Sequence, residues 1–188
     1  MIWLVLGVVI WSGVHFIPMA ARPLRSACIA RIGEGPYKGL FALSLIGAIA
    51  LMVTGWGQVA QAPVYAAPAW GRAALTPLML LAFSLFAASA VPTNLKRMLR
   101  HPQLTGFALW AGSHLLANGD GRSLVLFGGL GVWAVVSMLL LNRRDGAWEK
   151  PEPLPWSAEL KPVVGGVVGF GVVFVAHAWL FGVSPAPM

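Results

Sequence analysis

RMLRHPQLTGFALWAGSHLLANGDG, residues 97–121, decides the fold, because it shows how a short apolar segment is bounded at both ends. Arg97, Arg100 and His101 precede Pro102, which suits the first position of a helix. A proline also pushes the residue before it out of helical geometry, so His101 marks a boundary. At the far end Asn118-Gly-Asp-Gly121 is a turn signature. Between them about 16 apolar residues carry a single imidazole, His114. That is short of the roughly 20 residues that cross a bilayer. A helix of this length with polar residues suits shelter among neighbours better than contact with lipid.

The same pattern repeats through the chain. Of its 188 residues 58% are hydrophobic and 10% charged, against roughly 45–50% and about 25% in soluble domains. No aqueous fold hides so much apolar side chain, so the expected fold is all-α: a polytopic membrane protein with about six transmembrane helices in one bundle, forming a single domain over 1–188. The apolar segments fall at roughly 2–20, 38–58, 72–91, 103–118, 123–141 and 163–183, with ends uncertain by about 2–4 residues.

The net charge of +7 is a matter of orientation, not of nucleic acid. Arg22, Arg25, Arg31 and Lys38 flank the first connection, Lys96, Arg97 and Arg100 the third, and Arg143, Arg144, Lys150 and Lys161 the fifth. The other side keeps Arg72 and Arg122. By the positive-inside rule the odd connections are cytoplasmic and both termini lie outside. The first apolar segment lacks the positive n-region of a secretory signal, and reads as a retained first helix. Cys28 cannot form an intramolecular disulfide and reads as a small buried residue.

Gly165 and Gly169 form a G-x-x-x-G in the last segment, and Gly128, Gly129 and Gly131 cluster in the fifth; both patterns let helices approach closely. The fifth connection, NRRDGAWEKPEPLPWSAELKP, is too rich in Pro and charge for continuous helix. Its Trp148 and Trp156 suit the headgroup level. APVYAAPAW and the tail SPAPM read as loop.

Polar groups at membrane depth are costly, so His15, His114 and His177 carry the chemical interest. His15 follows Gly7 and Trp11 on one face; His114 follows Gln103 and Trp110, with Ser113 beside it; His177 follows Gly169 and Val173. A neutral imidazole can bind a metal through one nitrogen while the other donates a hydrogen bond. Two such histidines facing one another on different helices are what axial ligation of haem iron requires. Counted from the cytoplasmic edge, His15 and His114 differ in depth by roughly 8–10 Å at about 1.5 Å per residue, which tilt can absorb in part. The alternative for each histidine is an interhelical hydrogen bond. Arg97, Arg100 and His101 make a basic cluster suited to propionates, lipid headgroups or another anion, or simply to setting topology. All six acidic residues lie in connections, and no P-loop, G-x-G-x-x-G, nucleophile elbow or H-E-x-x-H occurs. Ion-coupled pumping through buried carboxylates is therefore not expected.

RHPQLTGFALWAGSHLLANGD resembles the central motif of the NnrU family of bacterial membrane proteins, and GVHFIP with IGEGPYKGLFALSLIGA resembles that family's first connection and second helix. The resemblance implies an inner-membrane protein associated with denitrification, in particular with nitrite and nitric oxide reductase function. The superfamily includes 15-cis-zeta-carotene isomerases, haem b enzymes whose haem histidines fall at positions matching His15 and His114. It thus implies haem b at this pair, with Arg97, Arg100 and His101 as anion or propionate contacts; isomerisation, a response to nitric oxide and electron transfer all stay open for such a haem, and the apolar walls of the bundle suit a hydrophobic small molecule. One departure is clear: the isomerases' alternative cysteine ligand corresponds to Ala111, so neither a redox-driven ligand exchange nor the carotene isomerisation that uses it is expected. RHPQLTG also resembles the R-H-P-x-Y-x-G segment of isoprenylcysteine methyltransferase-like enzymes, but Gln103 and Leu104 depart from it and the acidic residues after the next helix are missing. The reading from another class is a non-catalytic accessory protein that supports a nitrite or nitric oxide reductase, its histidines serving packing.

Overall fold

A computed structural model describes residues 1–185, so the end of the SPAPM tail lies outside the described residues. Seven helices form: α1 (Ile2–Ala20), α2 (Arg22–Ile32), α3 (Glu34–Gln58), α4 (Gly71–Ala90), α5 (Pro102–Ala117), α6 (Gly121–Asp145) and α7 (Leu160–Phe181). Short 3₁₀ turns at Asn94–Arg97 and Trp156–Glu159 precede α5 and α7. Among the described residues there is no β-strand, only an isolated antiparallel bridge between Pro63 and Asp120. The all-helical expectation holds.

Five helices are long and apolar enough to cross a membrane: α1, α3, α4, α6 and the one that ends at Phe181. The sixth expected segment is α5, whose 16 residues span about 24 Å at about 1.5 Å per residue. It packs between α4 and α6, and the neighbour order through the bundle is α3, α1, α6, α5, α4, α7. A short helix with long ones on both sides keeps its polar groups away from lipid. The outer faces of α3 and α7 are apolar and exposed, as Leu43, Ile46, Val172 and Val175 show. In a bilayer these faces would meet acyl chains.

The first connection is not a loop. α2 occupies most of it, with Pro23 in its first turn and Gly33 at φ 87° closing it. No helix breaker lies between, so the backbone satisfies itself by winding up. α2 buries none of its residues, and Cys28 is half-exposed rather than buried. The fifth connection behaves as expected: Gly146 at φ 67° ends α6, Trp156 is exposed, and Lys150 lies over the Trp148 ring.

Close approach explains the glycines. A Cβ on Gly55 would lie 2.4 Å from Leu4 N and one on Gly7 2.7 Å from Ala48 O, so α1 and α3 pack backbone to backbone. The G-x-x-x-G of α7 does face α4, Gly165 against Ala87 and Gly169 against Phe83, but the tightest point is Gly166, where a Cβ would lie 2.6 Å from Ser84 N. In the fifth segment Gly129 meets Val8 and Gly131 meets Ala111.

The bundle has two chemically different ends. Eleven of its thirteen Lys and Arg collect where α1, α4 and α6 finish and α3, α5 and α7 begin. The opposite end holds Arg72 and Arg122. There the 59–70 loop is tied to the α5–α6 turn: Val64 and Tyr65 N–H donate to Gly119 O, and Gly121 N–H to Ala62 O. Tyr65 OH donates to Leu115 O and Asn118 O. Burial and the nearby Asp120 carboxylate push the Tyr65 phenol above its ordinary value.

Candidate functional site

α6 is the common wall of two histidine environments. Its buried residues Phe127, Leu130, Trp133, Ala134 and Ser137 lie on one face at helical spacing, turned toward α1 and α5. Over Leu124–Gly128 the helix takes a π-helical turn, a device often found at functional sites.

His15 sits on α1 near the basic end. Its Nδ1 lies 2.8 Å from Trp11 O; a carbonyl only accepts, so Nδ1 carries the proton and donates. Its ring packs against Trp11 at 4.5 Å, Trp133 at 5.0 Å and Phe41 at 5.6 Å between centroids. Trp11 and Trp133 also meet edge to face at 5.6 Å, so the three rings touch mutually. Both indole Nε1 atoms and Ser137 Oγ, one turn beyond Trp133, are buried without a hydrogen-bond partner. Unpaired buried donors are rare and call for an explanation.

His114 repeats the backbone device on α5, with Nδ1 2.9 Å from Trp110 O. Its ring stacks on Phe127 at 4.4 Å and 23°, and meets Trp110 at 5.2 Å. Asn118 Nδ2 donates to His114 O, which ties the residue to the turn at the opposite end. Ser113 beside it is 1% exposed and donates back to Leu109 O. Gln103, expected on the same stripe, is exposed at the start of α5 and takes no part.

In both histidines the bonded Nδ1–H fixes the tautomer and leaves the Nε2 lone pair as the available donor. That is the state of a metal-binding imidazole, in which the second nitrogen is held by a carbonyl. The two rings stand at different levels. His15 meets Trp133 and His114 meets Phe127, six residues apart on α6, or about 9 Å along its axis at about 1.5 Å per residue. Between them runs a chain of rings, Trp133 to Phe107 at 5.4 Å and Phe107 to Trp110 at 6.2 Å.

The other expected site residues make contacts of their own. His101 Nε2 is 2.9 Å from Asn142 Oδ1 and Arg100 donates to Gly146 O, so both fasten the start of α5 to the end of α6. Arg97 ends a 3₁₀ turn and has no ion pair or hydrogen bond among the described residues. His177 donates through Nδ1 to Val183 O and packs on Phe181, closing the end of α7. Asp120 accepts from Ser123 N and Ser123 Oγ and lies 3.7 Å from Arg122, whose guanidinium covers Trp56 at 4.4 Å. The NGDG turn is thus a helix start and loop anchor. Ala111 is 1% exposed and packs against Gly131, and it supplies no thiol at that position.

Sequence reasoning passed over Phe41, Phe127 and Trp133. The i, i+3, i+4, i+7 run of Leu130, Trp133, Ala134 and Ser137 was a legible signal for one buried face of α6. Which histidine each ring would meet was not legible.

Fold and site together define a multi-helix bundle of membrane type with half-buried imidazoles on two of its helices. The profile of the NnrU protein family matches residues 3–185. The chain belongs to the NnrU family. No curated protein and no solved structure matches it.

Proposed function

We propose that this NnrU protein is a multi-pass membrane protein that binds haem b, with His15 on α1 and His114 on α5 as the candidate ligands. The observation that carries this reading is the shared tautomer: in each ring Nδ1–H is spent on the carbonyl one turn earlier, and Nε2 is left as a lone-pair donor. The Trp11 and Trp133 indoles beside His15, and the Ser137 hydroxyl one turn further along α6, have no hydrogen-bond partner among the described residues and add donors able to meet a bound polar group. The donor chemistry therefore fits haem iron. Haem iron bound there would supply electron transfer or a coordination position for a small ligand. The chain's own part is to hold each ring plane with Trp11, Trp133 and Phe127, and to exclude water with the apolar walls, which also suit a hydrophobic small molecule. Arg97 is the free cation of the basic cluster for a propionate; Arg100 and His101 could join it only by giving up their contacts with the end of α6.

In this reading all six apolar helices, α5 included, cross the bacterial inner membrane. The basic end faces the cytoplasm and both termini lie outside, by the positive-inside rule. The family's association with denitrification makes nitrite or nitric oxide reduction the setting.

One observation favours the second reading, an accessory protein of a nitrite or nitric oxide reductase whose histidines serve packing. The Phe107, Trp110 and Trp133 rings link the two imidazoles, and a shared iron requires those rings to move. The visible spectrum of the detergent-purified chain separates the readings. A haem band lost in His15→Ala and His114→Ala supports haem binding. A colourless, folded wild type that takes up no added haem leaves the accessory role.

A further inference from the structure

At the basic end, α1, α2 and α3 enclose an open cleft of about 330 Å³ lined by Pro18, Arg25, Tyr37, Lys38 and Phe41. Its rim is cationic and its floor apolar. The Arg25 guanidinium lies 5.7 Å from the Tyr37 ring centroid. The Tyr37 hydroxyl is buried and has no hydrogen-bond partner among the described residues, although a buried phenol ordinarily finds one. Lys38 pairs with Glu34 at 2.9 Å, but both are well exposed, so this ion pair is weak and exchangeable. Phe41 forms the inner wall, and the His15 ring is its next neighbour. α2, which carries Arg25, buries none of its residues and exposes Leu24 and Ile32, as a helix lying in a membrane interface does.

Two cations and an unsatisfied hydroxyl above apolar side chains match an amphiphile with a phosphate headgroup. Basic pockets between helices at the positive side of a membrane protein are suited to such lipids. We propose that this cleft binds one anionic phospholipid: the phosphate accepts from Arg25, Tyr37 Oη and Lys38 Nζ, and an acyl chain leaves past Pro18 and Phe41. Glu34 then loses its partner and turns to water. The proposal does not rest on haem binding, since none of the cleft residues is a candidate iron ligand.

Native mass spectrometry of the full chain in detergent, free of haem, tests it with phosphatidylglycerol, phosphatidylcholine and inorganic phosphate as probes. The wild type should retain phosphatidylglycerol in preference to phosphatidylcholine. Arg25→Gln and Lys38→Gln should each weaken that retention about fivefold, and Tyr37→Phe should weaken it without loss of fold. Arg143→Gln, at the same end but away from the cleft, should leave it unchanged. Equal retention of the two lipids, or a preference that persists in the Arg25→Gln, Lys38→Gln double variant, overturns the proposal. So does displacement of the lipid by millimolar inorganic phosphate, which would mark a site for free phosphate.

Discussion

His15 and His114 share one backbone arrangement and differ in nearly everything around it. Each donates Nδ1–H to the carbonyl four residues earlier. His15 sits among rings that meet it edge-on or tilted, beside two unpaired indoles and one ring away from an open cleft. His114 lies nearly parallel on Phe127 at a π-helical turn, with Asn118 tying it to the end of the bundle where the 59–70 loop meets the α5–α6 turn. The same local geometry therefore yields one imidazole next to the ring that walls the basic-end cleft and one stacked on α6 toward the opposite end. The bond to the preceding turn sets the tautomer; the neighbouring helices set access.

The strongest way to break this contrast is to part α1 from α3, which together build the His15 side. Gly55→Leu places side chain where even a Cβ lies 2.4 Å from Leu4 N. Backbone cannot give way as a flexible side chain can, so destabilisation of about 3 kcal/mol or more is expected. An unchanged thermal melt in detergent would show that the helices are not in register as described.

Trp133→Ala comes next. Trp133 is 4% exposed and touches His15, Trp11 and Phe107, and truncating a buried tryptophan costs about 3–5 kcal/mol. With histidine-labelled protein, its ring-current loss should move the His15 resonances and leave those of His114 in place. Phe127→Leu should do the reverse at about 1 kcal/mol, the order of a lost ring pair. If either variant shifts both histidines equally, the two environments are one.

Tyr65→Phe has the smallest effect, about 1 kcal/mol, for the hydroxyl that bonds Leu115 O and Asn118 O. It also gives the pH test of the 59–70 loop. Burial, with Asp120 second, raises the folded-state value of Tyr65 above 10.0. A raised value means that the folded state keeps the proton after the unfolded chain has lost it. The contribution is therefore complete below pH 10 and is lost as pH rises through the folded value. The chain has two tyrosines, so phenolate absorbance in wild type and Tyr65→Phe isolates this group. Ionisation of Tyr65 at or below pH 10 would mean that the 59–70 loop does not shelter it.

Much of this was legible in the residues. Pro102 and the NGDG turn gave the limits of α5 to within a residue, because a proline that cannot donate and a turn that cannot continue act locally. Gly165 and Gly169 pointed to a close helix contact. The helical nature of residues 22–32 was missed because a basic, loop-length connection carries no apolar periodicity, and its helix rests on backbone satisfaction alone. Gln103 was assigned to the His114 stripe by spacing, yet it lies in the first turn of α5, exposed at the basic end. Arg100 and His101 read as a free basic cluster, but their partners, Gly146 O and Asn142 Oδ1, are more than forty residues away in sequence.

The sequence by itself determined the solvent and the helical class: apolar runs of membrane length force each backbone to satisfy itself internally, and segregated Lys and Arg divide the bundle into two ends. It also pointed to His15 and His114 as imidazoles inside apolar segments; that the i−4 carbonyl takes Nδ1–H and leaves Nε2 available came from the structure. Only the tertiary structure decided what each imidazole meets. The order of helices around α6 puts Trp133 beside His15 and Phe127 beside His114. It also brings Arg25, Tyr37 and Phe41 from two helices around one cleft, since such contacts depend on packing between segments that no local rule connects.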